Sequence, residues 1–195
     1  KISLAMRLLT YNIHKGIGGR DRLYRLPRII EVIEVENPDI ICLQEVARNS
    51  RRSYFHDQPL LLAEYFKHSA HLYQHNVHLK NGGYGNMVLS RWPFRTHHLV
   101  SLRMNQKKPR GAQLVTAKTP EGELHLVNWH LGLAETERRW QVLHLLEHHL
   151  FRESSHLPTI IAGDFNDWRN KLSGVVLSQY GFEQATTPPS HFRSF

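Results

Sequence analysis

The sequence is poor in cysteine: Cys42 is the only one in 195 residues, so no intramolecular disulfide can staple the fold. It sits in the apolar run Asp39-Ile40-Ile41-Cys42-Leu43, where it reads as a buried structural thiol with no redox role. Long uncharged apolar runs are missing too, and none is long enough to cross a bilayer as a helix. The opening Lys1-Ile2-Ser3-Leu4-Ala5-Met6-Arg7 is too short and too soon charged for a signal-peptide core, so a reducing cytoplasm is the expected address. Acid is the minority charge, 17 Asp and Glu against 25 Lys and Arg, and the resulting +8 favours an anionic partner. Nucleic acid and acidic lipid both qualify, as does a basic surface that only confers solubility. Metal-ligand spacing is lacking among most of the 15 histidines; pairs such as His97-His98 and His148-His149 read as surface residues.

What is present is 41% hydrophobic and 22% charged residues, the balance of one globular domain spanning 1–195. Residues 6–13 form a β-rich run that stops at Gly16-Ile17-Gly18-Gly19. Leu23, Leu26, Ile29, Ile30 and Ile33 recur at helical spacing over 22–36, with Asn37-Pro38 as the stop. A short buried strand over 39–43 ends at Gln44-Glu45, and a helix is expected over 58–67. Further β-type runs cover 70–78, 84–90, 112–119 and 123–131, separated by glycine and proline. A helix over 135–151 places Trp140, Leu143, Leu146 and Leu150 on one face, and 157–162 is again a strand. Strand and helix alternate at both ends of a β-rich middle, which predicts an α/β protein whose sheets are covered by helices.

Four apolar runs end in polar residues able to hold a metal or a phosphate: Asn12, Glu45, His130, and Asp164 with Asn166. A single such end is ordinarily a strand entering solvent. Recurrence at four ends points instead to a site, because α/β sheets gather ligands where their strands stop. Asp164 has a competing reading as the cap of a following helix, although capping does not demand Asn166 as well.

In chain order, Thr10-Tyr11-Asn12-Ile13-His14, Asp39-Ile40-Ile41-Cys42-Leu43-Gln44-Glu45, Tyr84-Gly85-Asn86-Met87-Val88-Leu89-Ser90-Arg91, Asn128-Trp129-His130-Leu131 and Ile160-Ile161-Ala162-Gly163-Asp164-Phe165-Asn166 resemble successive motifs of one superfamily. This is the endonuclease/exonuclease/phosphatase superfamily, which includes deoxyribonuclease I, exonuclease III, abasic-site endonucleases, sphingomyelinases and inositol-polyphosphate phosphatases. The resemblance runs nearly the whole length. It implies a deoxyribonuclease I-like four-layer α/β sandwich, two packed mixed β-sheets flanked by helices, and a hydrolase of phosphoester bonds that uses Mg²⁺ or Mn²⁺.

By that resemblance Glu45 and Asn12 hold the metal through a carboxylate and an amide oxygen, leaving open positions for a phosphoryl oxygen. Asp164 orients or deprotonates the attacking water, with Asn166 holding the nucleophile or a phosphate oxygen nearby. His130 donates to a phosphate oxygen or protonates a leaving group. His14, Tyr84 and Asn86 are further candidates for phosphate or substrate contact, and the glycines of the stretch from His14 to Asp21 suit a loop that approaches phosphate closely. Arg48, Arg51 and Arg52, and likewise Lys107, Lys108 and Arg110, are expected to rim the active face and meet phosphates, or else to be solvated loops.

The family also closes with a Ser-Asp-His segment that has no counterpart here: after Asn166 the only histidine is His191, and no Asp precedes it. The expected fold is therefore C-terminally incomplete, with a shortened catalytic unit and an exposed edge strand open to dimerisation. Phosphodiester hydrolysis in nucleic acid is the leading expectation. A phospholipid or inositol-phosphate substrate, or a phosphate-binding scaffold without turnover, stands beside it.

Overall fold

The computed structural model describes residues 6–169 and 171–185. The first half of the chain builds one four-stranded sheet and the second half another. In the first, β1 (Leu8–Asn12) runs parallel to β2 (Ile40–Arg48), which pairs antiparallel with β4 (Gly82–Ser90), itself antiparallel to β3 (Ala70–Leu79). In the second, β5 (Phe94–Ser101), β6 (Gly111–Thr119) and β7 (Gly122–His130) are antiparallel, and β8 (Thr159–Asp164) lies parallel to β7.

Helices α1 (Leu26–Glu36) and α2 (Gln58–Phe66) belong to the first half, and α3 (Glu135–Glu147) and α4 (His149–Arg152) to the second. The central strands are apolar on both faces because each face is covered. Ile41 and Leu43 of β2 meet Ile29 and Ile33 of α1 and Leu62 of α2, whereas Ile40 and Cys42 pack between the sheets against Val115, Leu126 and Ala162. On the far side Leu114, Val127 and Trp129 meet Val142 and Leu145 of α3. Three apolar layers thus separate four structural ones, the expected four-layer sandwich.

Polar side chains also cross the space between the sheets. The Asn128 amide lies 2.9 Å from Gln113 Oε1, 3.1 Å from Met87 O and 3.2 Å from Leu43 O, and its Oδ1 accepts from Gln44 Nε2 at 2.8 Å. A fully buried amide without partners is costly, so these bonds fix how the two sheets sit at the end of the sandwich where the polar residues collect.

Several boundaries differ from the expectation. The first helix starts at Leu26, because residues 17–24 fold back on themselves: Ile17 bridges Tyr24 and Arg22 has φ +56°. Pro27 suits the first turn, where its missing N–H is not required. Strand β2 does not stop at Glu45 but continues through a bulge to Arg48. Strand β5 falls outside the expected β-type runs, since its exposed positions carry Arg95, Thr96, His97 and Leu99 without clean alternation. The last long helix breaks at His148, which is extended (φ −66°, ψ 134°), and the buried face of α3 is Gln141, Val142, Leu145 and Leu146 while Trp140 stacks on His144 at 4.6 Å. His125 departs from the surface reading of the histidines, for it is 1% exposed.

Candidate active site

Asn12 ends β1, Asp164 ends β8 and His130 ends β7, and the register places His130 directly beside Asp164. The two parallel pairs, β1 with β2 and β7 with β8, therefore bring their C-terminal ends to one edge of the sandwich. Asn12 Nδ2 donates to Asp164 Oδ2 at 2.9 Å, joining the sheets at the site itself. The same Oδ2 lies 3.6 Å from His130 Nε2, and Asp164 Oδ1 accepts from the Asn166 backbone at 2.9 Å. Asn166, at φ +49°, turns its amide back to Leu131 O at 2.9 Å. The helical turn that follows is held by Asp167, which accepts from Lys171 N and Leu172 N, so Asp164 is not its cap.

Glu45 sits in the β2 bulge, where the register against β4 slips between Leu43 and Val46 and φ is +56°. A bulge re-aims its side chain, and here the Glu45 carboxylate faces the site, 9% exposed. Lys15 sets its ammonium on Glu45 Oε2, and His14 Nδ1 lies 3.9 Å from the same oxygen. Burial alone would raise the Glu45 pKa; the Lys15 hydrogen bond and charge, with His130 and His14 behind them, outweigh it and leave the carboxyl below its usual range. Burial, then the Arg110 charge, hold the His130 imidazole well below its ordinary pKa against the pull of Asp164 and Glu45, so it is neutral at neutral pH.

Arg110 is 7% exposed, lines the cleft with Glu45, Tyr84, Asn86 and His130, and has no hydrogen-bond partner on Nε among the described residues. A buried guanidinium in that state is a place for an anion. Tyr84 is a platform for cations: Lys15 Nζ lies 4.4 Å and Lys108 Nζ 5.3 Å from its ring centre.

The structure brings Asn12, Glu45, His130, Asp164 and Asn166 to one edge, with His14 and Tyr84 adjoining. Asn86 is 1% exposed and its amide holds Gly111 O at 3.0 Å, so it braces the cleft floor. Arg48 is engaged by Asp57 at 3.0 Å, while Arg51, Arg52, Lys107 and Lys108 are exposed. His191 lies outside the described residues. Lys15 is a site residue that sequence reasoning misses, its only signal being its place in the glycine-rich stretch. Gln44 and Asn128 flank catalytic candidates in the motifs and prove to be struts between the sheets.

The donor set suits a hard divalent ion. Among the described residues no group of three or more His, Cys, Asp or Glu side chains is disposed to hold a metal ion by itself. The oxygens of Glu45 and Asn12 could supply the few protein ligands that Mg²⁺ accepts while keeping water, and Glu45 already meets a cation in the Lys15 ammonium.

The profile of the Endonuclease/Exonuclease/phosphatase family matches residues 9–194. The uncharacterized protein YbhP of Escherichia coli K12 is 29% identical over 192 residues, covering 94% of this chain and 75% of its own length. An endonuclease/exonuclease/phosphatase from Beutenbergia cavernae superposes with a TM-score of 0.70 at 26% identity, over 83% of this chain and 47% of that one. TDP2 from Caenorhabditis elegans (TM-score 0.62, 20% identity, 83% of this chain and 47% of that one) shares the fold. So does the mannosyl-6-phosphatase Bt3783 of Bacteroides thetaiotaomicron (TM-score 0.61, 18% identity, 83% and 66%). The chain spans about half the length of the first two of these structures.

Proposed function

From the premise that this chain belongs to the endonuclease/exonuclease/phosphatase family, we propose that it hydrolyses phosphodiester bonds in nucleic acid with the help of a divalent cation. The observation that carries the reading is the meeting of Asp164, Asn12 and His130 at the end of two sheets, beside the buried Arg110, whose Nε has no hydrogen-bond partner among the described residues. Glu45 and Asn12 would hold Mg²⁺ or Mn²⁺, which supplies Lewis-acid stabilisation of charge on the phosphoryl oxygens. Arg110, and Lys15 on its tyrosine platform, add fixed positive charge at the same place.

Asp164 Oδ2 is the base. It takes a proton from water as the water oxygen bonds to phosphorus and the ester P–O bond breaks; the leaving oxygen is protonated from solvent. Asn12 holds that carboxylate in place, and Asn166 shapes the turn that presents it. His130, neutral in the free protein, donates a hydrogen bond to a phosphate oxygen rather than acting as a reservoir of protons. The +8 charge supports nucleic acid over a small phosphomonoester as the substrate.

The reading is tested by hydrolysis of plasmid DNA and bis-p-nitrophenyl phosphate with Mg²⁺, Mn²⁺ or chelator, for the wild type and Arg110→Gln. Cleavage that needs metal and drops on the order of a hundredfold in the variant supports it. Metal binding without cleavage of either substrate favours a phosphate-binding scaffold instead.

A further inference from the structure

Beside the cleft, the segment that follows β2 carries a surface that hydrolysis does not use. Tyr54 and Phe55 are 71% and 52% exposed at adjacent positions, although neither ring is needed for the core. Both have positive φ, 52° and 59°, a region that asparagine or glycine occupies at less cost than a bulky aromatic residue. The loop is tightly built around them. Ser53 is fully buried, Ser53 N and Phe55 N both donate to Ser50 O, and Asn49 N donates to His56 O at 3.0 Å. Arg48 and Asp57 close its base. Two rings are therefore held outward by a rigid frame.

The loop connects to the site through Tyr24. Its ring meets Tyr54 edge-on at 5.7 Å, its hydroxyl lies 2.9 Å from His56 Nδ1, and it covers Gly16, where an added Cβ would come within 2.8 Å of it. Gly16 is the neighbour of Lys15, whose ammonium rests on Glu45. Arg20, Arg22 and Arg25 lie in or next to the fold-back that carries Tyr24, and Arg51 and Arg52 lie in the loop just before Tyr54, all five exposed. None of the five forms a salt bridge with a described residue, and the nearby acids Asp21 and Asp57 are already taken by Arg28 and Arg48.

We propose that Tyr24, Tyr54 and Phe55, with these five arginines, form a binding platform for unpaired nucleotides that leads a single strand of nucleic acid toward Glu45. Exposed rings offer faces on which bases stack without regard to sequence, and interleaved arginines follow the backbone. Bases paired in a duplex cannot reach such faces, so the platform selects single-stranded or frayed substrate. The inference rests on the nucleic-acid reading above and narrows its substrate class.

The test is fluorescence anisotropy of a labelled oligothymidylate and of a duplex of the same length, with chelator present to stop cleavage. Tyr54→Asn with Phe55→Asn is the variant of choice, because asparagine tolerates the left-handed backbone and removes both rings. Wild type should bind the single strand more tightly than the duplex, and the double variant should lose roughly tenfold in single-strand affinity with duplex binding nearly unchanged. Arg51→Gln with Arg52→Gln, which leaves the rings in place, should flatten the dependence of log K on log salt by about 0.7 for each phosphate that is no longer neutralised. Single-strand affinity unaltered in both variants, equal losses on single strand and duplex, or binding to anionic phospholipid vesicles in place of DNA would each overturn the platform. Hydrolysis of bis-p-nitrophenyl phosphate by the wild type, followed in parallel, separates the two ideas: turnover without any Tyr54 and Phe55 effect sinks the platform and leaves the phosphodiesterase standing.

Discussion

Glu45 shows what a single residue owes to its place in the chain. In sequence it is a glutamate at the end of an apolar strand; in the structure a bulge turns it inward and the Lys15 ammonium meets it across 30 positions. That partner is illegible in the sequence because nothing local marks a lysine that ends on a distant carboxylate, whereas Asn12, His130 and Asp164 are legible because each terminates a strand. Glu45→Gln should weaken Mn²⁺ binding at least tenfold by calorimetry, since the loss of the sole carboxylate proposed as a direct ligand leaves only neutral donors beside Asp164. Unchanged affinity would remove Glu45 from the metal site.

His125 gives a prediction of a different kind. It is buried in β7 beside Phe151, and burial, with a smaller contribution from His98, lowers its pKa from 6.5 to about 4. Between those values the unfolded chain takes up a proton that the folded chain refuses, so stability is full above pH 6.5 and declines as the pH falls toward 4. The expected loss is about 3 kcal/mol by urea titration, and His125→Gln should make that acid dependence shallower.

Among the elements, long buried runs declare themselves and edges do not. The apolar stretches of β2, β4, β6 and β7 are covered on both faces, so composition alone locates them. Strand β5 lies at a sheet edge with most of one face in water, and its basic and polar residues hide it. Leu23 fits the helical spacing and draws the expected start of α1 forward, yet the chain around it folds back before Pro27 begins the helix.

The pairing of elements offers two sharp tests. Gly163 in β8 has φ +126°, and an added Cβ would lie 2.0 Å from Trp129 O, a backbone atom with nowhere to go. Gly163→Ala should separate β8 from β7 and leave little folded protein, as read by circular dichroism and thermal melting. Asn128→Ala removes the amide that ties β7 to β2, β4 and β6 and orphans several buried partners, which should cost roughly 2–4 kcal/mol in a denaturant titration. A loss below about 0.5 kcal/mol would mean that the strut carries no weight.

For the whole molecule, the fold follows from two halves that each fill one side of a shared core and present strand ends at the same edge. The Asn12–Asp164 hydrogen bond directly links the halves inside the site, so the reacting geometry depends on how the sheets dock and not on either alone. The central claim, that Asp164 is the base of a metal-dependent phosphodiesterase, is tested most directly by comparing Asp164→Ala with wild type on bis-p-nitrophenyl phosphate at saturating Mn²⁺. The predicted result is a turnover rate lower by roughly a hundredfold to ten-thousandfold, with the folded state intact by circular dichroism. Turnover by the variant within about threefold of wild type would contradict the account, because no removed base costs so little.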